Sequence, residues 1–152
     1  MTAAPACSQV AAEAALNAIT ALLNVANAHD GVIKIFTGTP PNNTEDADTG
    51  TLLSAGMTLS ATAFGAATAS SSPYGATATA NAIASDTSAA GTGTAGYFRA
   101  YKYDGTTYTC VVQGNCGVAS ADMILNTTAI VAASTVSCSS WVLNLPNGGA
   151  AG

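Results

Sequence analysis

The segment YFRAYKYDGTTYTCVV, residues 97–112, contains the clearest structural signal in this sequence. Its first part, residues 97–103, is aromatic and alternating, and residues 108–112 include β-branched side chains, which is typical of strands. Asp104-Gly105 between them is a common turn signal for an antiparallel hairpin. The segment therefore predicts a β-hairpin and points to a β-rich fold.

Similar short runs recur on both sides of this hairpin. Stretches rich in Gly, Ser, Thr, Asn or Pro separate them at residues 38–50, 65–75 and 85–96. Strands of four to eight residues at such spacing predict an antiparallel β-sandwich or jelly-roll-like module. The other predicted strands are residues 32–37, 57–63, 76–82, 121–125 and 136–145.

The last of these runs contains a break in its alternation. Trp141 and Leu143 share one face by parity, whereas Val136 and Cys138 fall on the opposite face. One inserted residue reverses the alternation of a strand. We therefore predict a β-bulge at residues 139–140 that brings both sets of side chains to the core.

Residues 8–28 predict an α-helix that precedes the strands. Val10, Leu16 and Leu22 belong to an apolar stripe near helical spacing, and Gly31 is placed to end the helix. The helix contains few charges, so it must pack on another surface. The predicted organisation is an N-terminal arm and helix over residues 1–31, a β-sandwich domain over residues 32–146 and a flexible tail over residues 147–152.

The charge of the chain excludes several classes of partner. Charged residues are 7% of the 152-residue sequence, against about 25% in typical soluble domains. The net charge is −5, and the cations are Lys34, Arg99 and Lys102. Direct binding to nucleic acid or to an anionic membrane needs clustered cations, so neither is expected. A surface of small uncharged residues suits a protein that docks on copies of itself or on a larger assembly.

No membrane span or secretory signal is expected from the sequence. No apolar run approaches the roughly 18 residues of a transmembrane helix. The first 31 residues lack a basic region, and Glu13 and Asn17 interrupt their apolar stretch. We therefore expect synthesis and folding in the cytoplasm.

Patterns that resemble catalytic or ligand sites have simpler explanations. Residues 91–96 match G-x-G-x-x-G, but a polar stretch precedes them and a strand follows, so we expect a flexible loop. Residues 45–50 resemble half of a calcium loop without its distal Glu. His29 has no nucleophile motif to serve. Asp86, Asp104 and Asp122 lie in turn-like contexts. The sequence therefore predicts no enzyme activity, no cofactor and no metal.

Tyr97, Tyr101 and Tyr103 alternate along one predicted strand face, with Arg99 between them. Such a stripe could contact a sugar or a protein. It could also pack beneath the N-terminal helix or against a neighbouring subunit, which is the interpretation we favour. These four residues, with Val10, Leu16 and Leu22, are the predicted interface residues.

The four cysteines are Cys7, Cys110, Cys116 and Cys138. They allow three complete pairings, and their spacing fits no zinc motif. Cytoplasmic folding favours reduced, packed thiols. Oxidation of Cys110 with Cys116 or Cys138 remains an alternative for a protein that ends outside a cell.

The order of segments resembles small proteins from the structural gene clusters of tailed bacteriophages and prophages. The resemblance covers almost the whole chain, through GVIKIFTGTPP, GTLLSAGMTLSATAFGAAT, ATANAIASDTSAAGTGTAGYFRAYKYDGT and VVQGNCGVASADMILNTTAIVAASTVSCSSWVLNLP. Its most specific pieces are residues 59–65, 81–86 and 121–137. The cysteines, the loop at 38–50 and the stretch at 65–75 depart from the general pattern, which leaves the position in the particle open.

This resemblance implies a virion protein without enzymatic activity, assembled in the host cytoplasm. The role it suggests is head decoration or cement, in which a homotrimer binds the major capsid protein and stabilises the assembled shell. The alternative is a receptor- or glycan-binding module of a tail, fibre or head appendage.

Overall fold

The computed structural model describes residues 5–24, 31–72 and 74–148. These residues form one α-helix and ten β-strands, so the predicted class, mainly β with an N-terminal helix, is confirmed. The helix α1 is Gln9–Ala21, and the strands are β1 Val32–Thr37, β2 Leu52–Leu59, β3 Thr68–Ser71, β4 Tyr74–Thr79, β5 Ile83–Ala84, β6 Gly93–Tyr103, β7 Tyr108–Gly117, β8 Met123–Leu125, β9 Ala129–Ile130 and β10 Cys138–Pro146.

Within the described residues, the ten strands belong to a single hydrogen-bonded sheet in the order β3-β4-β10-β8-β7-β6-β1-β2-β5, with β9 paired to β6. The predicted sandwich or jelly roll is therefore not confirmed. The pairing is antiparallel except between β7 and β8, which run parallel at Cys116 and Met123.

The sheet curls around its own core. Strands β10 and β6 are three steps apart in the sheet, which in a flat sheet would separate them by about 14 Å. The rings of Trp141 on β10 and Phe98 on β6 nevertheless have centroids 5.2 Å apart. Trp141 also meets the ring of Phe64 at 4.7 Å. The curvature of the sheet therefore brings Phe64 and Phe98 against Trp141 at the centre of the core.

The predicted hairpin is present as β6 and β7. The pairing runs from Tyr97 opposite Asn115 to Tyr103 opposite Tyr108. In the connecting turn, the Asp104 carboxylate accepts hydrogen bonds of 2.8 Å from two backbone N–H groups of the same turn. The second strand extends to residue 117, beyond the predicted end at 112.

The predicted bulge is also present. The register between β10 and β8 shifts between Cys138 and Ser140. Val136 and Trp141 are both buried, at 0% and 1% exposure, although their parity differs. Cys138 and Leu143 are partly buried against the core. One extra residue thus turns two sets of side chains inward, as expected.

Two stretches predicted as connections contain strand residues. The short strand β3 lies in the region 65–75, and β6 begins at Gly93 inside the G-x-G-x-x-G pattern. The expectation of a flexible loop at 91–96 is therefore wrong. A Cβ atom at Gly96 would lie 2.0 Å from the Gly38 carbonyl oxygen. The glycine is needed because another segment of backbone passes directly over the strand.

The helix is shorter than predicted. Ser8 caps it by accepting a hydrogen bond from the Ala11 N–H, but helical structure ends at Ala21, and residues 25–30, including His29, lie outside the described residues. Helix α1 packs on β3, β4 and β10. Leu16 and Leu23 enter the core from this segment.

The junction between the N-terminal arm and the end of β10 is ordered by backbone hydrogen bonds. Asn147 donates to the Tyr74 carbonyl at 3.0 Å and accepts from the Cys7 N–H at 2.8 Å. Asn147 therefore belongs to the folded body, although the sequence placed it in the flexible tail.

Candidate interaction surfaces

Arg99 lies under residues 38–50, which we call the covering loop. The side chain of this strand residue is only 2% exposed. Its guanidinium donates to the Asp48 carboxylate at 2.6 Å and to backbone carbonyls of the loop at 2.6 to 3.3 Å, those of Asn43, Thr44 and Asp46. The buried Arg99 guanidinium therefore anchors the loop to the sheet through four hydrogen bonds.

The tyrosines of the stripe hold the same loop. The Tyr97 hydroxyl accepts from the Thr49 N–H at 3.0 Å and donates to the Thr49 carbonyl. The Tyr101 hydroxyl donates to Asp48. The pKa of Tyr101 is raised, mainly by burial and secondly by this hydrogen bond. Burial opposes the charge on Arg99, but the hydrogen bond to Asp48 and the interactions with Cys110 and Tyr101 together outweigh it, so the pKa of the guanidinium is raised.

This arrangement differs from what the sequence suggested for the stripe. Tyr97, Arg99 and Tyr101 are buried by the chain's own covering loop. They do not lie beneath the N-terminal helix, which packs on other strands. The structure therefore gives these three residues an intramolecular role and leaves no open aromatic stripe for a sugar.

Tyr103 belongs to a separate group at the turn end of the hairpin, where it pairs with Tyr108. Its ring stacks on Tyr108 with centroids 4.4 Å apart. The Lys34 ammonium lies 4.9 Å from the Tyr108 centroid and 4.7 Å from that of Tyr101. Such cation–π contacts contribute about 0.5–1 kcal/mol at partly exposed sites. The half-exposed Tyr108 is thus held by a stacked ring and a cation.

The acidic residues do not form a ligand site among the described residues, where no group of three or more His, Cys, Asp or Glu side chains could hold a metal ion. Asp48, from the calcium-like pattern, bonds to Arg99 and Tyr101 instead. Asp86 is buried and accepts from the Ser54 hydroxyl at 2.7 Å, as well as from backbone N–H groups of two segments. It joins the start of the 86–90 connection to the middle of β2.

All four cysteines are free thiols. Cys110 and Cys116 lie six residues apart on β7, about 20 Å along a strand, whereas a disulfide needs Cα atoms within about 7 Å. Cys138 pairs with Leu125 on β8. Leu125 lies two residues past Met123, the partner of Cys116, in the direction away from Cys110. Both proposed oxidations are therefore excluded. Burial raises the pKa of Cys116 to about 11, whereas Cys7 is exposed rather than packed.

The outer face of α1 is apolar. Val10, Ala14, Ala18 and Leu22 follow one another at intervals of four residues, which places them on one ridge, and all four are exposed. Val10 is 74% and Leu22 is 49% exposed. A surface helix ordinarily carries charged residues on its outer face. Two of the predicted interface residues thus lie on an open apolar ridge, whereas Leu16 lies in the core.

Amide side chains along the helical segment cover the edge of the sheet next to β3. Asn17 accepts from the Ala67 N–H at 2.8 Å, and Asn24 accepts from the Ala63 N–H at 2.8 Å. Gln9 donates to the Ser70 carbonyl at 2.8 Å. These three amides were not among the predicted interface residues, although their spacing of eight and seven residues is typical of one helix face. These side chains thus give hydrogen-bond partners to backbone groups of β3 and of the segment that leads into it.

The comparisons with known proteins add no assignment. Neither a protein-family model, nor a curated protein, nor a solved structure matches this chain. Within the ranges described, no helix is long and apolar enough to cross a membrane.

Proposed function

We propose that this chain is a structural protein of a bacteriophage virion, a decoration or cement protein that binds the assembled head shell and stabilises it. The observation that carries the proposal is the exposed apolar ridge of α1, from Val10 to Leu22. The segment-by-segment resemblance to phage structural proteins supports the same role. The very low charge of the chain also supports it.

The ridge has the shape and chemistry of a docking surface. Its small central residues, Ala14 and Ala18, allow a partner to approach closely, and its larger ends, Val10 and Leu22, supply apolar area. Full burial of a valine or leucine side chain contributes about 1.5–3 kcal/mol. The partners in this proposal are the major capsid protein and further copies of the chain.

Stabilisation of a shell follows from where such a protein binds. A ligand that binds the assembled state and not the free subunits shifts the equilibrium toward assembly. Copies grouped as a trimer around a local threefold axis would combine modest contacts into a strong attachment. The cover over the β3 edge suits this role, because it prevents uncontrolled strand pairing while the ridge stays open.

The test uses particles of the phage that encodes the chain, produced without their own copy of its gene and supplied with variants in trans. Val10→Glu and Leu22→Glu place a carboxylate in the proposed interface, which is strongly unfavourable. We expect each to lower incorporation into purified particles by at least about tenfold. Val118→Glu is the matched control, because Val118 is 59% exposed but lies outside the helix.

Two outcomes would contradict the proposal. The wild-type chain could be missing from purified particles, which would remove the virion role. Alternatively, the helix variants could be incorporated to the same extent as Val118→Glu, which would exclude the ridge as the docking surface.

A further inference from the structure

The chain leaves strand β10 through an asparagine–glycine pair. Of the ten asparagines in the sequence, Asn147 is the only one that a glycine follows. Glycine has no Cβ atom, so no side chain on residue 148 keeps its backbone nitrogen away from the side-chain amide of Asn147. Attack by that nitrogen on the amide carbon would close a cyclic imide, and this pair offers the least hindered approach in the chain.

The structure requires the glycine at this position. Gly148 has a φ of +75°, a conformation that residues with a Cβ atom rarely adopt. A Cβ atom there would lie 2.8 Å from the carbonyl oxygen of Pro5 in the N-terminal arm. A larger residue would strain the backbone and push the arm away. The contact between the arm and the end of β10 therefore retains a chemically labile pair.

The reacting groups are accessible. Gly148 is exposed and Asn147 is partly exposed, so water reaches both residues. The N–H of Asn147 donates to the Tyr74 carbonyl at 3.0 Å, whereas the N–H of Gly148 has no acceptor among the described residues. The attacking nitrogen is thus open to solvent.

From these observations we propose that Asn147 is a site of spontaneous deamidation. The Gly148 nitrogen forms a bond to Cγ of Asn147, and the bond between Cγ and the side-chain nitrogen breaks. The proton of the Gly148 nitrogen leaves with the ammonia that is released. Water then adds to either carbonyl of the succinimide and opens the ring, which yields aspartate or isoaspartate. The reaction consumes water, releases ammonia and involves no oxidation or reduction.

The products change the contact between the arm and the end of β10. Either product adds a negative charge at residue 147. Isoaspartate also inserts a carbon atom into the backbone before Gly148, which then cannot keep its close approach to Pro5. The arm leads directly into Ser8, the cap of α1, so isoaspartate loosens the segment immediately before the helix.

The test is to incubate the purified full chain in mildly alkaline buffer and to follow it by peptide mass spectrometry. We expect the peptide that contains Asn147 to convert to a mixture of aspartate and isoaspartate forms several-fold faster than Asn144 reacts. Asn144 is the matched internal control, because it is an exposed asparagine on the same strand but is followed by Leu145. Asn147→Gln keeps a side-chain amide on a longer stem, and this variant should lose the fast reaction.

Hydrogen exchange then measures the effect on the arm. Chains that carry isoaspartate should exchange the backbone amides of residues 6–8 faster than the unmodified chain does. The inference is overturned if Asn147 stays unmodified, if Asn144 reacts at the same rate, or if isoaspartate leaves exchange in the arm unchanged. The measurements use the isolated chain, so their outcome is independent of the proposed virion role.

Discussion

Replacing Arg99 with methionine should loosen the covering loop and destabilise the domain. Methionine retains an unbranched apolar stem but lacks the guanidinium, so Arg99→Met removes four hydrogen bonds from the loop. The change takes place on a strand of the central sheet, at a side chain that is 2% exposed. The loop would then be held to the sheet by the hydroxyls of Tyr97 and Tyr101 and by the Gln113 amide, which donates to the Pro41 carbonyl at 2.6 Å.

The size of the effect follows from the burial of the two charged partners. Removing one partner of a buried ion pair destabilises proteins by about 3–5 kcal/mol. Asp48 is 39% exposed, so its carboxylate regains water when Arg99 is gone. The loss should therefore fall at the lower end of this range. We expect the free energy of unfolding to decrease by about 3 kcal/mol.

The assay is urea unfolding followed by the fluorescence of Trp141, together with hydrogen exchange of the loop amides. Lys102→Met is the matched control, because Lys102 is the half-buried cation three residues further along the same strand. It should change stability by no more than about 0.5 kcal/mol. If Arg99→Met unfolds at the same urea concentration as Lys102→Met, and its loop exchanges no faster than in the wild type, the assigned role of Arg99 is wrong.

Three further predictions concern a buried carboxylate, the helix cover and the thiols. Burial disfavours ionised Asp86, but hydrogen bonds from the Ser54 hydroxyl and backbone N–H groups outweigh it and lower its pKa. The ionised Asp86 side chain therefore stabilises the fold above its unfolded pKa, and this stability is lost as pH falls through its folded pKa. Asp86→Asn should unfold in less urea than the wild type at neutral pH. The difference in unfolding midpoint should become smaller in acid. Asn17→Ala leaves the Ala67 N–H without its acceptor and should lower the free energy of unfolding by about 1–2 kcal/mol in the same assay. Asn17→Asp keeps an acceptor oxygen, so an equal decrease in that variant would argue against the hydrogen bond. Under native conditions alkylation should modify exposed Cys7 first and leave Cys116 until last, as followed by mass spectrometry; equal rates would contradict the burial of Cys116.

Features with a local cause could be predicted from the sequence. The β6–β7 hairpin follows from Asp104 and the flanking alternation, and the bulge at 139–140 follows from the parity of Val136 and Trp141. The helix start near residue 8 also follows from the local apolar stripe, and Ser8 caps the helix in the structure. In each case the residues that determine the geometry lie within a few positions of one another.

Features that join distant segments could not be predicted. Arg99 and Asp48 are 51 positions apart, and nothing in their surroundings marks them as partners. The tyrosine stripe had the right parity, yet its covering loop had the composition of an exposed connection. The strand β3 lacks apolar alternation, and the distant helix contacts it through Gln9, which donates to the Ser70 carbonyl. Tertiary contacts decide these elements more than local propensity does.

The candidate surface was partly predictable for the same reason. Helical spacing alone identifies the stripe that contains Val10, Leu16 and Leu22, but spacing cannot say which side of the helix faces the sheet. The structure divides this set, with Leu16 at 2% exposure and Val10 at 74%. Which face of the helix stays open is therefore decided by tertiary packing, although Val10 and Leu22 on that face were already among the predicted interface residues.

The most direct test of the proposed virion role is the copy number of this chain in purified particles, relative to the major capsid protein. Under this proposal the chain is encoded by a phage, and quantitative mass spectrometry of that phage's particles measures the ratio. A ratio near that of the shell subunit is the predicted result, because a cement protein covers the whole shell. A few copies per particle would place the chain at a tail, portal or vertex and contradict the cement role, and its absence would contradict the virion assignment itself.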